Sequence, residues 1–256
     1  MGRVGSKLKS SSERFDATRR ETTEDVVMGL YHRYSYEVAA RTLGPDDRVL
    51  DIGFGEGYAS AILPGAYVGV ELDPDLVAHA RARYAGRFET YDGRHLPDGP
   101  FDLVVSFQVI EHVHDVDSWL TEIARVARRA MFATPNRIHR VHEGERPWNR
   151  YHVREFSAEE LQRLLERHFG DVAVYGVCAS PEIEAVELAR YARARRIAQL
   201  DRLALRYRLP PRVDGWARSR LRKPQPSTRV DFSLDELHHS ESCIERGLVL
   251  LANVRP

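Results

Sequence analysis

Apolar residues along the chain follow two alternating patterns: short continuous runs, and longer segments in which they recur every three to four positions. The runs predict buried strands, and the spaced segments predict amphipathic helices. The predicted strands are RVLDIG (48–53), AYVGVEL (66–72), RFETYD (87–92), FDLVVSF (101–107), RAMFATP (129–135), DVAVYGV (171–177) and GLVLLANV (247–254). The predicted helices cover 22–43, 58–63, 74–85, 116–126 and 158–168. Because strands alternate with helices, the sequence predicts an α/β fold with a Rossmann-like, seven-stranded, mostly parallel sheet and helices on both faces.

More than sixty residues separate the sixth predicted strand from the seventh. Apolar residues recur in this stretch at helical spacing between Ile183 and Tyr207. We therefore predict that residues 182–240 form a helical cap inserted before the last strand. The remainder belongs to the same domain, which we expect to cover 21–256 and to follow a flexible N-terminal arm over 1–20.

The charge of the chain is balanced, with 38 basic and 38 acidic residues among 256. A balanced charge argues against a dedicated nucleic-acid binder. The stretch 190–223 is an exception, since it holds eleven arginines and one lysine against two aspartates. We interpret it as the solvated face of a cap helix, or as a surface for an anionic acceptor, for RNA or for a protein partner.

The cellular setting is indicated by what the sequence lacks. It has two cysteines, Cys178 and Cys243, and no CxxC motif, which argues against a disulfide framework and a cysteine zinc site. No apolar run approaches the roughly 20 residues that span a bilayer, and the N-terminal segment lacks the apolar core of a signal peptide. We therefore expect a soluble, cytoplasmic protein without a membrane span.

Three glycines stand at alternate positions after the first predicted strand, in VLDIGFGEGYAS (49–60). In a doubly wound sheet this turn is the expected ligand site. A dinucleotide fingerprint, G-x-G-x-x-G, would need a third glycine where Tyr58 stands, and Asp51 would repel a diphosphate. The loop therefore favours a cofactor that carries positive charge and no phosphate.

This stretch resembles the glycine-rich motif of class I S-adenosylmethionine-dependent methyltransferases of type 11/12. Glu71 ends the second strand 20 residues after Asp51, where a carboxylate can accept hydrogen bonds from ribose hydroxyls. Asp92 ends the third strand, where the family holds the adenine amino group. FDLVVSFQVIEHVHD (101–115) resembles the family's fourth strand and its E-H-x-x-D loop. The resemblance implies S-adenosylmethionine as cofactor, S-adenosylhomocysteine as product, and these cofactor-binding residues: Asp51, Gly53, Gly55, Gly57, Glu71, Leu72, Asp92, Gly93, Phe107 and Gln108.

The segment after the fifth strand, ATPNRIHRVHEGERPWNRYHVREFSAEEL (133–161), indicates the acceptor. It resembles actinobacterial O-methyltransferases that act on sugar hydroxyls, such as the methylmannose polysaccharide 1-O-methyltransferase. The [DNS]-P-P-[YFW] motif of nucleic-acid amino-methyltransferases is replaced by SFQVIEHV (106–113). Aromatic faces and polar groups suited to a sugar are offered by Asn136, Trp148, Asn149, Tyr151, His152 and Arg154.

Methyl transfer to a hydroxyl requires that the hydroxyl proton leaves during attack, which a positioned base assists. His112, in VIEHVHD (109–115), follows the fourth strand and is the first candidate for this base, with Glu111 or Asp115 to orient its ring. His152, in the segment after the fifth strand, is the alternative. A purely structural role of His112, in packing or helix capping, stays open.

We predict that the protein holds no metal. A cluster of His139, His142, Glu143, Glu145 and His152 would offer metal-binding side chains, but glycine and proline break this segment, so no pair has helical ligand spacing within a clearly helical stretch. Magnesium bound by Asp115 or Asp117 is the other possibility.

The sequence leads us to expect an O-methyltransferase that acts on a hydroxyl of a sugar, glycan or glycosylated natural product. Two alternatives remain open: O-methylation of a phenolic or quinone-precursor small molecule, and an RNA-binding or RNA-modifying protein on the same fold. The expected partner is thus a small-molecule or glycan acceptor rather than nucleic acid. The identity of the acceptor, the position methylated and the oligomeric state stay open.

Overall fold

The structure, a computed structural model, describes residues 22–140, 147–200 and 231–256, with the backbone alone at 197–200. The predicted arm over 1–20 and residues 201–230 of the predicted cap lie outside the described residues. Within the described part of the chain, no helix is both long enough and apolar enough to cross a membrane.

One sheet of eight strands, in the order β3-β2-β1-β4-β5-β8-β6-β7, forms the centre of the described structure. The strands are β1 (Arg48–Ile52), β2 (Ala66–Glu71), β3 (Arg87–Thr90), β4 (Leu103–Phe107), β5 (Ala130–Pro135), β6 (Asp171–Cys178), β7 (His238–Ser240) and β8 (Val249–Arg255). β1 to β5 pair in parallel, whereas β8 runs antiparallel between β5 and β6. The predicted α/β fold with a mostly parallel sheet is confirmed, and the sheet has one strand more than the seven expected.

The additional strand is β7, a three-residue edge strand within the region predicted as a cap. Its sequence, His-His-Ser, contains no apolar residue, so the hydrophobic pattern could not indicate it. It pairs antiparallel with Gly176–Cys178 at the end of β6. Its existence therefore depends on a partner strand that lies far away in the sequence.

In the described part of the chain, five α-helices flank the sheet: α1 (Thr23–Ala40), α2 (Pro74–Arg83), α3 (Val116–Val126), α4 (Ala158–Leu165) and α5 (Pro181–Leu200). α1 begins with a capping box, in which the Thr22 hydroxyl accepts a hydrogen bond from the Asp25 N–H and the Asp25 carboxylate accepts one from the Thr22 N–H. α3 has the predicted bounds, and the Asp115 carboxylate caps it by accepting a hydrogen bond from the Ser118 N–H.

The prediction of an α-helix over 58–63 is wrong, because the structure has only a 3₁₀ turn at Tyr58–Ala61. Gly57 directly before this turn has a φ of +87°, and Gly65, which follows Pro64, has a φ of +92°. Left-handed glycines on both sides and the proline leave too few residues for an α-helix.

Two hydrophobic cores cover the opposite faces of the sheet. Successive strand residues point to opposite faces, so Val49 joins one core and Leu50 the other. α1, α2 and α5 pack on the first face, and α3 and α4 pack on the second. The chain runs outward from β1 through β2 to β3 and then returns to the other side of β1 with β4. This reversal of strand order opens a crevice at the carboxyl ends of β1 and β4.

Candidate active site

A cavity of about 280 Å³ lies at the carboxyl ends of β1, β2, β4 and β5. Gly53 and Gly55 line it after β1, Glu71 lines it at the end of β2, and Phe107 at the end of β4. Side chains of α1 and α5, which contact each other, cover one side. The cavity thus occupies the crevice in which open α/β sheets bind their ligands.

The glycine-rich loop shapes the floor of the cavity, and its three glycines have φ values of +77°, +60° and +87°. A Cβ on Gly53 would lie 2.6 Å from Val109 Cγ2, and a Cβ on Gly57 would lie 2.7 Å from the Cβ of Ala80. A Cβ on Gly55 would meet no atom within 4 Å. Packing therefore requires glycine at 53 and 57, whereas Gly55 leaves the loop backbone open to a ligand.

The Glu71 carboxylate joins the end of β2 to the glycine-rich loop. Its Oε1 accepts a hydrogen bond from the Leu72 N–H at 2.7 Å, and its Oε2 accepts one from the Gly55 N–H at 3.2 Å. Burial raises the pKa of Glu71 above its ordinary value, and these backbone donors lower it in part. The side chain also lines the cavity, so a bound ligand meets a positioned carboxylate.

Asp51 lies beneath the loop and does not line the cavity. It is completely buried, and its carboxylate accepts hydrogen bonds from the hydroxyls of Tyr67 at 2.8 Å and Tyr36 at 3.3 Å. Burial raises the pKa of Asp51 to about 7, against the lowering effect of both tyrosines. Tyr36 itself lines the cavity, so this carboxyl reaches the site only through the tyrosine ring.

The raised pKa of Asp51 predicts a pH-dependent stability. The folded state binds the Asp51 proton more tightly than the unfolded state, whose ordinary pKa is 3.8. Raising the pH from about 4 to about 7 therefore lowers the free energy of unfolding, by on the order of 1.4 kcal/mol per pH unit at most. Urea unfolding of wild type and Asp51→Asn between pH 5 and 8 should show a weaker decline in the variant. Equal declines in both proteins would contradict the assignment.

The predicted adenine contact, Asp92, lies outside the lining of the cavity. Its carboxylate is exposed and accepts hydrogen bonds from the backbone N–H of Arg94 and His95 and from His95 Nδ1. These donors hold the pKa of Asp92 well below its ordinary value. Gly93 has a φ of +82° and continues this turn outside the lining, whereas Tyr91 before it does line the cavity.

The other predicted cofactor residues, Leu72, Phe107 and Gln108, all line the cavity. Gln108 has a φ of +59°, which makes it the single non-glycine residue with a positive φ in the part of the chain that the structure describes. Such a conformation is costly for a residue with a side chain, and it is frequent at functional sites. It turns the chain sharply from β4 into the loop that carries Glu111 and His112.

The side chains of Glu111, His112 and His152 lie close together at the end of the cavity beyond β4. The imidazoles of His112 and His152 lie edge to face, with ring centroids 4.8 Å apart. His112 Nδ1 is 3.0 Å from the carbonyl oxygen of Tyr151, and His152 Nδ1 is 2.7 Å from Glu155 Oε1. Glu111 is completely buried, and its Oε2 accepts a hydrogen bond from the Thr134 hydroxyl. Sequence motifs suggested both histidines but not the glutamate at 155.

Arginines and aromatic rings form the wall beside these histidines. The Arg140 guanidinium stacks over the rings of Trp148 and Tyr191, 4.6 Å and 4.9 Å from their centroids. It also forms a buried salt bridge with Glu155, with Nε and Oε1 2.9 Å apart. Arg190 likewise stacks over Trp148 and Tyr191. Sequence reasoning did not identify Arg140 or Tyr191 as site residues. Tyr191 reaches the cavity through the packing of α5, and Arg140 directly follows the 3₁₀ turn Arg137–His139 after β5.

The predicted acceptor residues divide into two groups. Trp148, Asn149 and His152 line the cavity. Asn136, Tyr151 and Arg154 do not: Asn136 is completely buried, and its amide donates to the carbonyl oxygens of Ile244 and Gly247. The Arg154 guanidinium donates to the carbonyl oxygen of His114, and Tyr151 contributes its carbonyl oxygen to His112.

The metal-binding clusters weighed from the sequence are not assembled among the described residues. His142, Glu143 and Glu145 lie outside the described part of the chain. Asp115 caps α3, and the Asp117 carboxylate accepts hydrogen bonds from the side chains of Arg167 and His168.

Comparison with known proteins assigns the family. Residues 50–130 match the family model described as a methyltransferase domain. The chain is 34% identical, over 254 aligned residues, to a probable S-adenosylmethionine-dependent methyltransferase of Mycobacterium tuberculosis, with 93% of this chain and 89% of the relative covered. The chain belongs to the class I S-adenosylmethionine-dependent methyltransferases.

Two further similarities agree with this family. The methyltransferase is 28% identical, over 174 residues, to a ubiquinone biosynthesis O-methyltransferase of Aromatoleum aromaticum, with 62% of this chain and 68% of the relative covered. Its fold resembles that of an S-adenosylmethionine-dependent methyltransferase from Thermotoga maritima, with a TM-score of 0.54 and 19% identity over 91% of this chain and 94% of that one. At this identity the structural likeness shows the fold alone.

S-adenosylmethionine is the cofactor of this methyltransferase, and the cavity has residues that fit it. The missing Cβ of Gly55 leaves the loop backbone open to a ligand. The Glu71 carboxylate at the end of β2 would accept hydrogen bonds from the ribose hydroxyls. Leu72 and Tyr91 offer apolar surface beside it for the adenine ring.

Replacing Glu71 with alanine is expected to weaken S-adenosylhomocysteine binding by about tenfold or more, since each hydrogen bond to a charged group contributes about 1.5–3 kcal/mol. Isothermal titration calorimetry measures the affinity. Glu89→Ala is the matched control, because Glu89 lies on neighbouring β3 and pairs with Arg87 away from the cavity lining. If Glu71→Ala bound S-adenosylhomocysteine as tightly as the wild type, Glu71 would not be a cofactor-binding residue.

Proposed function

We propose that the protein transfers the methyl group of S-adenosylmethionine to a hydroxyl oxygen of a polar acceptor, namely a sugar, a glycan or a glycosylated natural product. One observation carries this proposal. Among the described residues, four buried polar atoms that belong to cavity-lining side chains have no hydrogen-bond partner: Tyr31 Oη, Tyr58 Oη, Trp148 Nε1 and Glu111 Oε1. Buried polar atoms without partners are costly, so the cavity favours a ligand that supplies them.

The two imidazoles support transfer to oxygen. When bound, the cofactor supplies a methyl group that its sulfonium has already activated. The glycine-rich loop at Gly55 and the Glu71 carboxylate would hold the cofactor, which would supply its methyl group to the acceptor oxygen and leave as S-adenosylhomocysteine, while an imidazole would take the hydroxyl proton. Alignment contributes much of the rate, and removal of the proton contributes a further factor.

His112 and His152 are the groups that we assign to the activation of this hydroxyl. The Tyr151 carbonyl can only accept a hydrogen bond, so His112 Nδ1 carries the hydrogen and Nε2 has the free electron pair. The Glu155 carboxylate has the same effect on His152. Each ring is therefore oriented so that Nε2 is available to an acceptor hydroxyl.

The contacts of the arginines in α5 favour an acceptor site over a surface that binds nucleic acid. Arg190 pairs with Glu187, and Arg193 pairs with Glu24 of α1. The Arg195 guanidinium donates to the carbonyl oxygen of His139. Three of the four arginines whose side chains are described in the stretch 190–223 thus bind groups of the protein itself, which leaves less charge for phosphates.

O-methylation of a phenol or quinone precursor is the second candidate. It is favoured by the similarity to the ubiquinone biosynthesis O-methyltransferase, whose name states transfer to oxygen in that pathway. Trp148 and Tyr191 both line the cavity, and their aromatic rings would also suit a flat aromatic acceptor.

Incubation with S-adenosylmethionine labelled in its methyl group tests the proposal. The panel contains mono- and oligosaccharides, catechols, amines and tRNA, and the products are identified by mass spectrometry and NMR. We expect a methyl ether on a sugar hydroxyl. Transfer to catechols alone supports the second candidate, and transfer to amines or tRNA alone contradicts both.

A further inference from the structure

We propose that Glu111, His112 and His152 bind one divalent transition-metal ion at the acceptor end of the cavity. One ligand atom from each residue lies within 4.8 Å of the other two. All three side chains line the cavity. The sequence did not indicate this site, because its ligands come from two segments about forty residues apart and show no helical ligand spacing.

The hydrogen bonds of the two histidines are those of metal ligands. A metal-binding imidazole usually donates its other N–H to a carboxylate or a backbone carbonyl, which fixes the tautomer and orients the ring. His152 Nδ1 bonds to the Glu155 carboxylate, and His112 Nδ1 bonds to the Tyr151 carbonyl oxygen. Both rings are thereby arranged to offer the Nε2 electron pair to one ion.

Glu111 supplies the charge that such an ion requires. Its side chain is completely buried, and Oε1 has no hydrogen-bond partner among the described residues. Oε2 accepts a hydrogen bond from the Thr134 hydroxyl at 3.0 Å, which holds the carboxylate in place. A buried carboxylate without a counter-charge is unfavourable, and a bound cation would balance it.

The negative charge of Glu111 is not balanced by a basic side chain among the described residues. The two neighbouring buried carboxylates have arginine partners, since Glu155 pairs with Arg140 and Glu187 pairs with Arg190. No described basic side chain forms a salt bridge with Glu111. One negative charge at this end of the cavity is therefore available to a cation.

The backbone joins the two segments that carry the ligands. The Val153 N–H donates to the carbonyl oxygen of Glu111 at 2.8 Å. This bond sets the loop with His152 against the 3₁₀ turn Ile110–His112. The three side chains consequently approach each other before any ion binds, which lowers the ordering cost of binding.

Two imidazole nitrogens and one carboxylate oxygen suit divalent first-row transition metals such as zinc, iron and manganese. Sites with two histidines and one glutamate leave a further coordination position for water or substrate. Because the ligands line an open cavity, that position faces the acceptor.

The part of the ion in the reaction rests on the proposed function. An acceptor hydroxyl bound at the open position would lose its proton more readily, as water does on zinc. With the ion bound, the two imidazoles would hold the ion and the proton would pass to water in the cavity, so the histidines would assist proton removal through the ion rather than as the base described above.

Titration of the metal-free full-length protein with Mn²⁺, followed by electron paramagnetic resonance, tests the site. We expect one bound ion per chain. Glu111→Gln and His152→Ala should each weaken binding by about 100-fold or more, since loss of an outer-shell partner alone costs about 10–100-fold. His114→Ala should bind normally, because His114 belongs to the same loop but is exposed and does not line the cavity.

A second control removes the other described group of potential ligands, Cys178, His238 and Cys243. Cys243→Ser should bind Mn²⁺ as the wild type does. S-adenosylhomocysteine affinity close to that of wild type shows that a variant is folded. No saturable binding to the wild type, unchanged binding in both ligand variants, or loss of binding in Cys243→Ser overturns the proposal.

The outcomes also separate the ion site from the proposed function. If Mn²⁺ binds as expected but no hydroxyl acceptor is methylated, the ion site stands and the proposed function fails. If a hydroxyl acceptor is methylated at an undiminished rate after chelation and Mn²⁺ does not bind, the proposed function stands and the ion site is overturned.

Discussion

Replacing Glu155 with glutamine is expected to lower the free energy of unfolding by about 3–5 kcal/mol, as for other buried salt bridges that lose one partner. Its Oε1 lies 2.9 Å from Arg140 Nε, and the two side chains are 0% and 4% exposed. Burial alone would raise the pKa of Glu155, but Arg140 and His152 bring it below its ordinary value. The amide would leave a buried guanidinium without a counter-charge. Urea unfolding followed by circular dichroism measures the change.

Glu159→Gln is the matched control for this prediction. Glu159 pairs with Arg163 on the solvent side of α4, where the side chains are 77% and 63% exposed. A pair in this setting contributes less than about 1 kcal/mol. If the free energy of unfolding fell by similar amounts in the two variants, the buried Arg140–Glu155 pair would stabilise the fold no more than an exposed pair does.

His112→Ala and His152→Ala are each expected to lower kcat by about 10²–10⁴-fold, the usual effect of losing the group that assists proton removal. Neither histidine has a hydrogen bond to the glycine-rich loop or to Glu71 among the described residues, so S-adenosylhomocysteine affinity should change by less than about tenfold. Steady-state kinetics at saturating acceptor and calorimetry measure the two quantities separately.

His114→Ala provides the control here, since the residue is exposed two positions from His112. It should keep both turnover and affinity. Near-normal turnover in both His112→Ala and His152→Ala would exclude the two histidines from the reaction. A loss of cofactor affinity in step with turnover would instead assign them a structural role.

Most of the fold could be predicted from the sequence because its signals are local. Thr22 and Asp25 are three residues apart, and together they begin α1 as a capping box. The predicted bounds of α3 are correct because both of its signals are local. The apolar stripe lies within the helix, and the capping residue Asp115 directly precedes it. The failures have local explanations as well. Positive φ at Gly57 and Gly65 prevents the helix predicted over 58–63, and His238–Ser240 carries no apolar signal.

The cofactor half of the site shows where such reasoning ends. The order of strands brings the glycine-rich loop and Glu71 to one edge, and a parallel sheet predicts this from the chain order alone. The direction in which each side chain points is not predictable in this way. Asp51 turns inward to Tyr36 and Tyr67, and Asp92 turns outward to His95.

The α/β class, the glycine-rich loop and the family could be recognised in the sequence, because each depends on residues that are close together in the chain. The acceptor end of the cavity depends instead on tertiary packing. Arg140 and Glu155 are 15 residues apart in the sequence, and Tyr191 comes from a helix that sequence motifs did not connect to the site. A buried charge requires a partner, but which residue becomes that partner depends on how distant segments pack together, and no local pattern records that packing.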